Sequence, residues 1–248
     1  MELMEVSTLE SVPVGFKRTE LGLIPIDWEV KRLGDIGDCL IGLTYSPSQV
    51  REHGTLVLRS SNVFNGKLVF DDNVFVEANI PDRIMVREKD ILICVRNGSR
   101  ELIGKTALID SRATGMTFGA FMAVFRTHAA EFVYNQFQSE VVKRQIHEHL
   151  GATINQITNK SLKSFIVPYT ANRAEQHAIA TALSDADALL SSLEQLIAKK
   201  KAIKQGAMQA LLTPPGQPGY KRLPGFEGEW EVKKLGAIGS FTKGKGIK

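Results

Sequence analysis

The chain has 248 residues, 43% of them apolar, a formal charge of +4 at neutral pH and two cysteines. That size and composition fit one sizeable domain, or a domain with a helical appendage. No run of 18 uninterrupted apolar residues suggests a membrane span, the first residues lack the pattern of a signal peptide, and Cys39 and Cys94 lack the CxxC spacing of a zinc site or disulfide framework, so the expectation is a cytoplasmic protein with reduced thiols.

Residues 1–14 read as a flexible lead-in. From 15 to about 126 the pattern is one of short β-type runs punctuated by Gly, Asn and Asp: Thr55–Arg59, Arg83–Val86, Ile91–Val95, Ala107–Asp110 and Met122–Arg126. Glu131–Leu150 reads as one helix with Val133, Phe137, Val141 and Val142, Ile146 and Leu150 on a face, stopped by Gly151. The polar run Asn155–Lys160 follows, then a strand, Phe165–Val167, closed by Pro168.

The texture changes between 172 and 213. Apolar residues recur seven apart in three adjacent rows, which predicts one long helix with Asn172 as N-cap, Glu175 at the third helical position and Pro214-Pro215-Gly216 as its end. Three rows make a stripe wider than a two-position seam. Left exposed, such a surface would aggregate, so the stripe (Ile179, Leu183, Leu189, Leu190, Leu193, Leu196, Ile197 and Ile203) predicts a partner helix. Beyond the helix the chain restarts: Trp28-Glu29-Val30-Lys31-Arg32-Leu33-Gly34-Asp35-Ile36-Gly37 returns as Trp230-Glu231-Val232-Lys233-Lys234-Leu235-Gly236-Ala237-Ile238-Gly239. An internal repeat of this kind opens a second unit, of which residues 214–248 hold only the first steps.

This order, together with Val167-Pro168, Glu175-Gln176-x-x-Ile179-Ala180-x-x-Leu183-Ser184-x-x-Asp187, the Leu211-Leu212-Thr213 ending and the Trp-x-Val-x-x-Leu-Gly restart, resembles the specificity subunit of type I restriction-modification enzymes. Arg87–Leu92 and Ile103-Gly104-Lys105 also look like features of that family. The resemblance covers residues 12–248, about half of a full specificity subunit plus a stub. It implies an α+β fold: a target-recognition domain over 15–171, with short strands and a few helices, then one long coiled-coil-forming dimerisation and spacer helix over 172–213. It further implies a non-catalytic subunit that binds double-stranded DNA, pairs as a homodimer through the helix and guides a modification (methyltransferase) subunit and a restriction subunit. S-adenosylmethionine, ATP and magnesium would belong to those partners, with no cofactor in this chain and no membrane association.

Charge locates the DNA surface only loosely. Residues 1–171 carry 19 Lys and Arg against 20 Asp and Glu, so the positive total comes from the tail. Within that domain, residues 71–90 hold six acids and three bases, whereas 91–126 hold five bases and two acids, which predicts one acidic and one basic side. Base reading needs Arg or Lys for guanine and Asn or Gln for adenine on elements that reach a groove. The candidates are Arg96, Asn97 and Arg100 after the Ile91–Val95 run; Arg59 and Asn62 at another strand end; and Gln156, Asn159 and Lys160, with Lys143 and Arg144 on the preceding helix. Lys105 and Thr117 are candidate phosphate contacts. Turn and capping chemistry explains several of the same residues, Asn97-Gly98 above all.

Two other classes compete. Asp27 and Glu29-Val30-Lys31 have the carboxylate-x-Lys form of a metal-dependent nuclease, although the motif's return in the repeat favours a structural role; a coiled-coil scaffold explains the helix but not the mixed domain before it. A methyltransferase's Gly-rich loop and Asn/Asp-Pro-Pro-aromatic element do not occur, nor does a Gly-x-Ser-x-Gly elbow.

Overall fold

The computed structural model describes residues 12–150 and 155–244. Most of the expected lead-in and the helix stop at Gly151 lie outside the described residues. The chain divides into two compact units, Met1–Ser184 and Asp185–Lys248. No helix among the described residues is long and apolar enough to cross a membrane.

The first unit begins with a hairpin, β1 (Phe16–Thr19) and β2 (Gly22–Pro25), followed by β3 (Glu29–Arg32), a single turn of helix α1 (Leu33–Ile36) and β4 (Asp38–Ile41). Short strands follow: β5 (Val50–Arg51), β6 (Thr55–Leu58), the hairpin β7 (Val63–Phe64) and β8 (Lys67–Leu68), β9 (Phe75–Val76), β10 (Ile91–Cys94), β11 (Thr106–Leu108), β12 (Thr117–Phe118) and β13 (Met122–Arg126). Helices α2 (Ala130–Gln138), α3 (Glu140–Leu150) and α4 (Asn159–Ser164) lead to β14 (Ile166–Tyr169) and the long α5 (Arg173–Leu212); the second unit also holds the short α6 (Leu235–Ile238). The mixed domain followed by one long helix is the expected α+β architecture.

One sheet runs in the order β11-β10-β13-β4, antiparallel throughout, and a second in the order β12-β6-β9-β5, where β12 and β6 are parallel. The first sheet lies between two cores, which explains why its central strands are apolar without alternation. Ile91 and Ile93 of β10, with Ala123 and Phe125 of β13, face a core filled by Phe132, Val133, Phe137, Ile146 and Leu150 from α2 and α3. Their neighbours Leu92, Cys94, Met122 and Val124 point the other way, into a core shared with Leu58 and Phe118 of the second sheet. Successive side chains alternate faces, so a strand buried on both sides must be apolar at every position.

Four expected boundaries move. The helix over 131–150 is two helices broken at Ser139, whose backbone is extended (ψ 155°). Phe137 and Val142, the buried residues either side of the break, are five apart, one more than a continuous helical face allows. Ser139 serves both ends: its hydroxyl donates to the Gln136 carbonyl at 2.7 Å, and its carbonyl accepts the Lys143 amide at 3.1 Å. Arg83–Val86 is no strand; Pro81 initiates a 3₁₀ turn over Asp82–Ile84 instead. Ala107–Asp110 stops short as β11, because Asp110 accepts the Arg112 amide at 2.9 Å and caps the next turn. Pro168 lies inside β14 rather than beyond it, tolerated because β14 pairs only with β3 and is therefore an edge.

Asn172 caps α5, its side-chain oxygen accepting the amides of Ala174 (3.0 Å) and Glu175 (3.3 Å). Glu175 does not complete a capping box. Its carboxylate instead accepts the Trp28 indole N–H at 3.1 Å and the Thr170 hydroxyl at 2.7 Å. Gln176 and Ala180 are buried, and Ile179 packs against the first core rather than standing free. From Leu183 to Ile203 the remaining stripe residues are 44–62% exposed.

Candidate nucleic-acid interface

Three candidate runs that are distant in sequence meet at the end of β10. Beyond Cys94 the amides of Val95 and Arg96 both donate to the Phe121 carbonyl, at 3.0 and 3.1 Å. Ile157 donates its amide to Val95 at 2.8 Å, and Arg96 forms an antiparallel bridge with Gln156. These bonds set Arg96–Arg100 beside the 155–160 run. The third run joins through Ser60: its hydroxyl accepts the Asn97 amide group at 3.1 Å, and its carbonyl accepts Lys105 Nζ at 3.4 Å.

The individual residues divide into those free to touch a ligand and those holding the fold. Arg96, Arg100, Gln156 and Lys160 are exposed. Asn97 is half-buried and accepts the Ser99 amide at 2.9 Å, a side-chain turn leading into a 3₁₀ turn at Arg100–Leu102, so β10 and β11 are joined by a wide loop rather than by a tight Asn-Gly turn. Arg59 pairs with Asp72 at 2.8 Å, while its Nε is buried without a hydrogen-bond partner. Asn159 is half-buried and donates to the Cys39 carbonyl at 3.2 Å. Lys105 and Lys143 line a separate groove of about 420 Å³ with Glu101, Gly104 and His147. Lys143 also pairs with Glu140 at 3.0 Å, and Arg144 is exposed on α3.

Two expected contacts are corrected. Asn62 is fully buried; it accepts the Arg59 amide at 2.9 Å and donates to the carbonyls of Val69 and Asp72 and to Asn73 Oδ1 at 3.1–3.2 Å. A side chain so committed cannot read a base. Thr117 is equally buried, its hydroxyl donating to the Ile84 carbonyl at 2.8 Å, and cannot reach a phosphate.

The acids of residues 71–90 are partly neutralised from within. Asp90, only 2% exposed, pairs with Arg126 at 2.7 Å, and hydrogen bonding to Asp90 raises the guanidinium's pKa further. Burial pushes the Cys39 thiol up to about 11 and raises Cys94 too, so both are unreactive core groups. Glu29 and Lys31 pair with each other at 2.5 Å on β3, and among the described residues no three His, Cys, Asp or Glu gather as metal ligands.

Sequence reasoning missed Phe121. It is 56% exposed, the Arg96 guanidinium lies 4.9 Å over its ring, and it borders a groove of about 660 Å³ with Tyr45, Pro47, Ser60 and Ser61. The available signal was an aromatic set in the turn Gly119-Ala120-Phe121 between two strands.

Exposed cations and an exposed amide thus gather around the end of β10. The family described as the type I restriction modification DNA specificity domain matches residues 25–205, and the chain belongs to it. It is 25% identical over 232 residues to the StySPI specificity subunit of Salmonella potsdam, covering 88% of this chain and 49% of that protein. It is 27% identical over 211 residues to the EcoKI specificity subunit of Escherichia coli K12, covering 77% and 45%. The HsdS subunit from Thermoanaerobacter tengcongensis has a similar fold, with a TM-score of 0.52 at 18% identity over 73% of this chain and 42% of that one. A chain from a type I restriction-modification assembly gives 0.59 at 20% identity, over 75% and 45%. The chain spans about half the length of the curated relatives it matches.

Proposed function

We propose that this chain is a non-catalytic DNA sequence-recognition subunit of a type I restriction-modification system, reading one half-site per chain and guiding methyltransferase and restriction subunits. The observation that carries this reading is the convergence of Arg96–Arg100, the Ser60 turn and the 155–160 run on one rim. Arg96, Arg100 and Gln156 are the base-reading candidates; Lys105, Lys143, Arg144 and Lys160 suit phosphates, and Arg59, Asn97 and Asn159 hold the rim in shape. S-adenosylmethionine, ATP and magnesium belong to the partner subunits in this reading.

Pairing through α5 is part of the proposal. Its 40 residues span about 60 Å at 1.5 Å each. Burying each half-exposed Leu or Ile contributes on the order of 1 kcal/mol. A two-fold, antiparallel pair of helices would hold two recognition domains over inverted half-sites separated by unread DNA.

Capture of genomic DNA by the chain co-expressed with its modification subunit, read by sequencing, tests the reading: a bipartite inverted motif is expected, and a flat distribution defeats it. Arg100→Ala should relax the preference at one base pair rather than weaken all sequences alike. Leu193→Asp with Leu196→Asp should leave a folded monomer in light scattering, and a dimer that survives refutes the seam.

A further inference from the structure

Phe121 departs from the strand it introduces. Met122–Phe125 are at most 1% exposed, yet Phe121 just before them is 56% exposed. The residue is not loosely held. Its carbonyl takes the amides of Val95 and Arg96, and the Met122 amide closes the turn onto the Gly119 carbonyl at 2.8 Å. A rigid backbone therefore presents an apolar ring on the rim where the three runs meet. The Arg96 guanidinium carbon lies over it, 4.9 Å from the ring centroid, and no carboxylate among the described residues forms an ion pair with this guanidinium. Stacking orders the arginine before any ligand arrives, which lowers the entropy lost on binding.

The major groove of duplex DNA offers one apolar feature, the thymine C5 methyl, and guanine offers the O6/N7 pair that fits an arginine fork. We infer that Phe121 reads the methyl of a thymine in the half-site, and that Arg96, stacked on it, reads the guanine of a neighbouring base pair. Ring and guanidinium are 4.9 Å apart, between one and two base-pair rises of roughly 3.4 Å, so the two can reach neighbouring base pairs but not one and the same edge. Tyr45 and Pro47 line the same groove and add ring surface to the site that the methyl would enter. The inference rests on the proposed function, and its test separates the two.

The full chain, co-expressed with its modification subunit, is used to select duplexes from a random pool, and each thymine of the selected site is then replaced singly by deoxyuridine, which removes only the methyl. One replacement, beside a guanine, is expected to lower affinity about 4-fold, as for one buried methyl-sized group. Phe121→Ala should bind the thymine and uracil duplexes alike, Phe121→Leu should keep part of the difference, and Arg96→Ala should lose roughly 5- to 150-fold discrimination at the adjacent guanine. A selected site indifferent to every uracil replacement overturns the inference and leaves the proposed function standing, as does a Phe121→Ala protein that weakens on all duplexes equally while keeping its uracil penalty. Bright fluorescence on binding from 2-aminopurine placed in an adenine position next to that thymine would mean that the thymine leaves the stack, and also overturns it. A pool with no sequence preference defeats the proposed function itself, and this inference with it.

Discussion

The two copies of the repeated decapeptide share nearly all their residues and differ in almost every contact. Locally they agree. Arg32 and Lys234 enter a single helical turn at φ −75°, ψ 146° and φ −70°, ψ 138°, and Gly37 and Gly239 leave it extended. Both carry the short-range ion pair, Glu29–Lys31 and Glu231–Lys233. In the first copy, residues 29–32 form β3 against β14, Leu33 is fully buried, and Trp28 lies edge-on to Phe132 with its indole bonded to Glu175. In the second, residues 231–234 form no strand, Leu235 is 68% exposed and Trp230 is 44% exposed. Sequence alone sets the dihedral angles here, whereas strand and burial exist only where a partner such as β14 and the α2 face is supplied.

Paired substitutions put that difference to the test. The largest effect should come from Leu33→Ala, at about 2–5 kcal/mol in denaturant unfolding, against no more than about 0.5 kcal/mol for Leu235→Ala. Equal losses would mean that the second copy is packed as well as the first. Trp28→Phe removes a hydrogen bond to a carboxylate and should cost roughly 1.5–3 kcal/mol, while Trp230→Phe leaves the melting temperature unchanged. Gly37→Ala places a methyl against the Phe125 ring and 2.7 Å from the Arg126 carbonyl, a strain of about 1–3 kcal/mol; at Gly239 the nearest atom is 4.0 Å away, and the same change should be silent.

Much of the architecture was legible because the residues left little choice. The apolar runs at 91–94 and 122–125 announce buried strands, and the wide stripe with its Asn172 cap announces the long helix. Legibility failed where a tertiary partner overrides a local signal. Nothing local distinguishes a continuous helix over 131–150 from two helices whose buried faces are out of step by one residue. Glu175 has the position of a capping residue but is drawn away by Trp28, which lies 147 positions earlier. At the rim, residue type does not give the exposure of a side chain. Asn62 has the amide of a base reader and uses it to tie its own loop, whereas Phe121 has no polar group and still stands exposed at the meeting point.

The antiparallel register of β3 and β14, Glu29 opposite Tyr169 through Arg32 opposite Ile166, places the way into the recognition domain beside the way out. Everything between Leu33 and Phe165 is thus a loop hung from one two-stranded clasp. Because Phe132 and the first core also seat Trp28 and Ile179, an exchanged insert must keep the α2 face if the root of α5 is to keep its seat. The fold thereby ties entrance and exit together and leaves the strand ends far from the clasp as the part least bound to the frame.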